Sequence, residues 1–256
     1  MSNQLSVDSS PSYTTAQRVV AFLAGLVCHV TFLAGVGLMV FSIYTGMEYG
    51  FGRLHGVWAL LANSMLLLQF PIVHSWLLSV PGRKWTARWV PLGLGRELST
   101  TTFATLASIQ LLVVFLLWSP SGVTWMHLHG VAGWVMTVLY AAAWLLVGVA
   151  MWDAGLALQT GFLGWGAVVR GKHPEYKTFP QGGTYRVSRQ PIYLAYSLML
   201  WTGPVWTLDR VALALLWTAY CMLGPMLKER RYLKYYGDAY RAYQREVPYW
   251  FGWSRK

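Results

Sequence analysis

Charge is what this chain has least of. Asp, Glu, Lys and Arg together make up 11% of its 256 residues, with nine acids against twenty Lys and Arg, whereas soluble domains carry about a quarter. With 55% hydrophobic residues and a mean hydropathy of +0.40, this is no soluble globular domain; it reads as an integral membrane protein. Cysteine is scarce as well. Cys28 and Cys221 each lie inside an apolar run, which argues against a disulfide framework or a thiolate metal site and leaves two small core residues. Internal repeats are missing, and the apolar runs hold almost none of the mid-bilayer ionisable groups that a carrier uses, so transport is disfavoured.

What the chain does have is long apolar segments. Val19 to Tyr44, Val57 to Val80, Thr101 to Trp118 and Leu128 to Met151 match the roughly twenty residues that a helix needs to cross a 30 Å hydrocarbon core. Two further segments, Ile192 to Thr207 and Val211 to Leu227, flank the sequence TLDR. The first of them is short and contains Gly203 and Pro204, which predicts a tight C-terminal helical hairpin that is tilted or crosses incompletely. The expected fold is therefore all-α and polytopic, with about six transmembrane helices, five being possible. Residues 1–18, polar and without a basic, short-cored leader, read as a disordered cytoplasmic tail.

The placement of basic residues orients these spans. With the N-terminus inside, 18 of the 20 Lys and Arg fall on the cytoplasmic side, and only Arg53 and Arg210 fall outside. This asymmetry is the positive-inside pattern, and it explains the net charge of +11 by anionic lipid without nucleic acid. His29 lies within the first span and reads as a neutral imidazole bonded to a neighbouring helix. His127 and His129 are an i, i+2 pair with no acid or thiol beside them, and no metal is expected there.

Chemistry concentrates in two polar stretches, KTFPQGGTYRVSRQPIY from Lys177 and KERRYLKYYGDAYRAYQREVP from Lys228. They flank the terminal hairpin, which returns the chain to the side it left, so both are expected to meet over a cytoplasmic cofactor pocket. Phe179, Tyr185, Tyr193, Tyr240 and Tyr243, with the amides near Gly182 and Gly183, suit an organic cofactor; aromatic faces attract a purine or a sulfonium. The same tail composition also suits an interfacial amphipathic helix lying on headgroups.

TYRVSRQPIYLAY followed about 35 residues later by KERRYLKYYGDAYRAYQREVP resembles the paired signature of isoprenylcysteine carboxyl methyltransferase-like membrane methyltransferases. That signature is RHPxYxG, a hydrophobic hairpin, then EExxLxxxFGxxYxxYxxxVP. The stretches VHSWLLSVPGRKW, ELSTTTFATLASIQLLVVFLLW and RGKHPEYKTFP are similar to the methanethiol S-methyltransferase branch, so the likeness covers residues 19–250. It implies a four-helix transmembrane region at 19–152 and a methyltransferase core at 153–256. It also implies S-adenosylmethionine bound around Arg170, Lys177, Thr178, Phe179, Pro180, Tyr185, Gln190, Pro191, Ile192, Tyr193, Lys228 and Glu229, with Arg189, Glu229 and Tyr193 as the catalytic set.

Three positions depart from the family pattern: Gln190 replaces its His, Ala195 its Gly and Lys228 the first Glu of its pair. Gln190 keeps hydrogen-bonding capacity without a titrating ring, while Lys228 inverts the local charge. Transfer of a methyl group from a sulfonium to sulfur neutralises charge, so alignment and exclusion of water supply much of the rate, and a cation such as Arg189, Lys228 or Arg230 would favour the thiolate. The implied reaction is methanethiol to dimethyl sulfide at the membrane, where a small lipid-soluble thiol can reach the pocket through the bilayer. An isoprenyl-cysteine or lipid acceptor, and a non-catalytic NnrU-like membrane protein, are the alternatives. The bacterial inner membrane is the expected location.

Overall fold

Lipid offers no partners for backbone groups, so an apolar run crosses it as a helix that satisfies its own N–H and C=O groups. A computed structural model describes residues 12–250 of the chain. Its helices in order are α1 (Thr15–Tyr44), α2 (Gly56–Leu77), α3 (Val80–Arg88), α4 (Ser99–Leu116), α5 (Gly130–Asp153), α6 (Leu156–Gln159), α7 (Phe162–Val169), α8 (Pro191–Leu200) and α9 (Leu208–Glu246). Five of them, α1, α2, α4, α5 and α9, are long and apolar enough to cross a membrane. The protein is multi-pass.

The first helix begins four residues before its expected start. Thr14 caps it: the Thr14 hydroxyl accepts from the Gln17 amide at 3.2 Å and the Gln17 side chain accepts from the Thr14 amide at 3.0 Å, a reciprocal pairing that nucleates a helix. Residues 15–18 are thus helical, and residues 1–11 of the expected tail lie outside the described residues. His29 Nδ1 donates within its own helix to the Gly25 carbonyl at 2.9 Å, rather than bonding across to a neighbour. Gly35 lets α1 approach α4, because a Cβ there would sit 2.8 Å from the Ser108 carbonyl oxygen.

The hairpin expected over 192–227 takes a different form. Helix α8 stops at Leu200, and residues 205–207 form a strand, β2 (Val205–Thr207), antiparallel to β1 (Thr124–His127) in the α4–α5 connection. This small sheet is an addition to the all-α expectation. It also settles where the short segment goes. A ten-residue helix rises about 15 Å, and the turn at 201–204 leads into β2, whose pairing with β1 fixes Thr207 at the α4–α5 end of the bundle. Arg210, fully buried, donates to the Thr202 and Val205 carbonyls and stacks 4.3 Å over Trp206. It supplies the partners that the irregular stretch lacks within the apolar layer.

Three connections therefore gather at one end: 45–55, 117–129 and 201–207, tied by Gly52 to Trp118, Leu208 to Val123 and Thr207 to Gly46 hydrogen bonds. Arg53 and Arg210 are the basic residues there; the others among the described residues lie toward the opposite end, with 78–98, 154–190 and the tail. A single apolar core joins the five long helices and α8, with Met39 and Ile43 from α1, Leu67 from α2, Phe115 from α4, Tyr140 from α5, Met199 from α8 and Trp217 from α9.

The charged tail is continuous with the last span rather than a separate helix. The apolar part of α9 ends at Leu227, and the helix continues to Gly237, where φ 51°, ψ −123° breaks it. That conformation is readily open only to glycine, and the turn brings Tyr240, Tyr243 and Val247 back onto Phe179. Gly237→Ala is expected to weaken this fold-back by about 1–2 kcal/mol, seen as faster proteolysis after Arg241 or Arg245 in detergent with the transmembrane core left intact.

Candidate functional site

Where α8 starts and the charged half of α9 begins, the two polar stretches meet. Arg189 precedes the α8 N-cap residue Gln190, and Glu229 projects inward from α9 at 8% exposure. The Arg189 Nε donates to Glu229 Oε1 at 2.8 Å, and its Nη1 donates to the carbonyls of Gln244 at 3.0 Å and Val247 at 2.6 Å. Glu229 also accepts from Gln190 Nε2 at 2.8 Å and Gln244 Nε2 at 2.7 Å. Four segments, the 186–190 turn, α8, α9 and the folded-back tail, are thereby held by one carboxylate and one guanidinium. A buried charge is tolerable only when paired and hydrogen-bonded to this degree.

Backbone contacts complete the joint. The Arg189 amide donates to the Pro248 carbonyl at 2.9 Å, and the Ser188 hydroxyl to that of Tyr249 at 3.1 Å. The Tyr243 hydroxyl donates to the Tyr185 carbonyl at 2.7 Å. Upstream, Asp153 at the end of α5 accepts from the Thr184 amide at 2.7 Å and its hydroxyl at 2.8 Å, fixing the 183–186 turn. Burial first, then the Tyr232 and Tyr243 phenols and the Asp153 carboxylate, push the Tyr185 hydroxyl well above the ordinary tyrosine range. Burial, aided by Glu229 and opposed by Arg189, pushes Tyr249 up to about 12. Both phenols stay neutral at physiological pH, and that of Tyr249 donates to the Met222 carbonyl at 2.7 Å.

Of the residues singled out from sequence, Phe179, Tyr185, Arg189, Gln190, Tyr193, Lys228 and Glu229 come together at this end. Phe179 lies among Tyr232, Tyr236, Tyr240 and Tyr243, with ring centroids 5.0–6.1 Å away. Of the rings expected to line a cofactor pocket, Phe179, Tyr240 and Tyr243 are thus packed on one another. Pro191 is buried and Ile192 half-buried at the first turn of α8, Pro180 is half-buried beside Phe179, and Lys177 and Thr178 are exposed on the loop. Arg170 stands apart at the end of α7, its guanidinium 5.3 Å over Phe162. Glu229 turns inward as the acid of the pair, while Lys228 lies 5.4 Å from the Tyr193 ring and 5.8 Å from Tyr232.

Sequence reasoning missed Gln244, Ser188 and Asp153. Asp153 carried a signal, being one of only nine acids in the chain; Gln244, one polar residue in a polar tail, carried none. Two cavities, of about 240 and 190 Å³, open at the other end, the first beside His127, His129 and Tyr44, the second beside Glu48, Thr124 and Asp209. The two imidazoles there stack at 4.3 Å, because His127 ends β1 and His129 caps α5, not because they share a helix.

Fold and site together define a helical multi-pass membrane protein whose chemistry-bearing residues sit at the interfacial end of its last two crossings. Over nearly its whole length the chain is similar to methanethiol S-methyltransferases. It is 27% identical to methanethiol S-methyltransferase 2 of Bradyrhizobium diazoefficiens over 237 residues, covering 90% of this chain and 86% of that protein. It is 26% identical to the methanethiol S-methyltransferase of a Pseudomonas species over 252 residues, 93% and 95% of the two chains, and 28% identical to that of Mycobacterium tuberculosis over 205 residues, 77% and 80%. These likenesses support the resemblance to the membrane methyltransferases read from the paired motifs. No family model matches, and no solved structure does.

Arg189 and Glu229 have side chains only 12% and 10% exposed, so Arg189→Ala would leave an unpaired buried carboxylate. The expected loss is about 3–5 kcal/mol, read as a lower unfolding midpoint in detergent. Arg189→Lys should recover only part of it, because an ammonium cannot reproduce the fork that reaches Glu229 and two carbonyls.

Proposed function

We propose that this protein is an S-adenosylmethionine-dependent S-methyltransferase that converts a small thiol, methanethiol, into a thioether, dimethyl sulfide. The observation that carries the proposal is the joining of the two motif stretches through Arg189 and Glu229 at one end of the bundle, in a chain whose relatives bear the name methanethiol S-methyltransferase. Residues 153–256 form the methyltransferase core in this reading, and the basic end faces the cytoplasm of a bacterial inner membrane with both termini inside.

The residues present fit the donor. Gln190 Oε1 is buried without a hydrogen-bond partner, an acceptor available to an amino or hydroxyl group, and Tyr193, half-buried at the first turn of α8, carries an aromatic face of the kind that attracts a purine or a sulfonium. Arg170, Lys177, Thr178, Phe179, Pro180, Tyr185, Gln190, Pro191, Ile192, Tyr193, Lys228 and Glu229 would hold it, with Arg189 and Glu229 keeping the loop and tail in register. When bound, S-adenosylmethionine supplies an electrophilic methyl group on a sulfonium. The chain's own part is to align the acceptor and exclude water, since the charge-neutralising transfer proceeds faster in an apolar surround. A lipid-soluble thiol reaches such a site from the bilayer.

Purified protein in detergent, incubated with labelled donor and a thiol series, should release labelled volatile thioether. Absence of donor binding by calorimetry would overturn the enzymatic reading, and binding without turnover of small thiols would transfer the assignment to a lipid acceptor. Tyr193→Ala and Glu229→Ala should each weaken donor affinity about tenfold or more; unchanged affinity would place the donor elsewhere.

A further inference from the structure

Three cations near the motifs, Arg189, Lys228 and Arg230, are chemically able to favour a thiolate acceptor, and their surroundings separate them. All three nitrogens of Arg189 already donate, to Glu229 and to the Gln244 and Val247 carbonyls. Arg230 is exposed. Lys228 is half-buried and, among the described residues, pairs with no carboxylate. Its ammonium instead lies over the Tyr193 ring of α8 and the Tyr232 ring of α9. The neighbouring acid forms no ion pair with it, because both oxygens of Glu229 are taken by Arg189, Gln190 and Gln244.

Resting on the methyl transfer proposed above, we infer that Lys228 is a catalytic residue that binds the acceptor sulfur as a thiolate. Aromatic faces attract the ammonium without quenching it, so its charge remains directed at an incoming anion. Lys228 lies twenty residues beyond Leu208, about 30 Å along the helix, where the apolar layer ends and a thiol dissolved in lipid first meets a cation. The thiol loses its proton to solvent. The thiolate lone pair then forms the new sulfur–carbon bond, while the pair of the broken bond stays on the donor's sulfur, leaving two neutral thioethers. An acid at this position, as in the family pattern, would repel the thiolate; the lysine thus suits a small thiol acceptor.

The titratable and charged groups around Lys228 are Tyr193 from α8 and Glu229, Arg231 and Tyr232 from α9 itself. Arg231, three residues further along α9, shares the Lys228 face and adds to the positive potential.

The test compares wild type, Lys228→Met and Lys228→Arg in kcat/KM for methanethiol across pH, in donor affinity, and in calorimetric binding of ethanethiol to protein loaded with S-adenosylhomocysteine. Lys228→Met should lower kcat/KM about 10- to 100-fold at neutral pH, with the deficit shrinking toward the thiol's own pKa, and Lys228→Arg should retain most of the rate. Donor affinity, to which Lys228 is one of several contributors, should fall by a clearly smaller factor than kcat/KM, and ethanethiol binding to Lys228→Met should weaken most at neutral pH. A rate unchanged in Lys228→Met, a deficit equal at every pH, or a loss confined to donor binding would overturn the inference while leaving the methyl transfer standing. A wild type that binds donor but turns over no thiol would overturn the reaction and the role of Lys228 together. Should Lys228→Met fail to fold, Lys228→Gln takes its place in the same measurements.

Discussion

One buried ion pair holds this end of the molecule together. Arg189 and Glu229 come from segments forty residues apart, separated by two membrane crossings, and their bond is made only if α8 and α9 run side by side. Everything nearby depends on it: the tail carbonyls that Arg189 caps, the two amides that Glu229 receives, and the aromatic cluster closed by the returning chain. A pair this desolvated contributes little net stability by itself. Its effect is to define a single arrangement of loop, hairpin and tail, because any other would leave a charge buried alone.

The opposite end solves a different problem. Helix α8 is too short to span by itself, and after a last turn at 201–202 the chain runs to Thr207 without helical hydrogen bonds. Pairing of β2 with β1 and the bonds from Arg210 satisfy the backbone groups that lipid would leave bare. The short crossing places the start of α9 at the far end, which gives α9 its full length back across and returns Lys228 and Glu229 to the side from which Gln190 departed. The geometry of the candidate site is thus set partly by a sheet on the other face of the membrane.

Charge then determines what the site can do. Glu229 is committed and Arg189 is committed, so neither is a free electrostatic partner for a ligand. Lys228, held between two phenols and unpaired among the described residues, is the group whose field remains unspent. The departure from the family pattern that seemed most disruptive in sequence therefore coincides with the position where a thiol-directed chemistry gains most from a cation.

Composition and run length by themselves determined that the chain is a multi-pass helical membrane protein, because about twenty apolar residues have no other way to lie in lipid. The motif stretches and their spacing around two apolar segments also pointed to where the chemistry-bearing residues gather. Tertiary structure alone decided that α8 ends at Leu200 and continues as strand, since that depends on β1 some eighty residues earlier. It alone decided that Gln244 joins Glu229, that Arg170 lies apart against Phe162, and that Gly237 turns the tail back. Local sequence specifies which segments are apolar and which residues are able to bond; which partner each one finds depends on contacts between segments distant in the chain, and those exist only once the helices have packed.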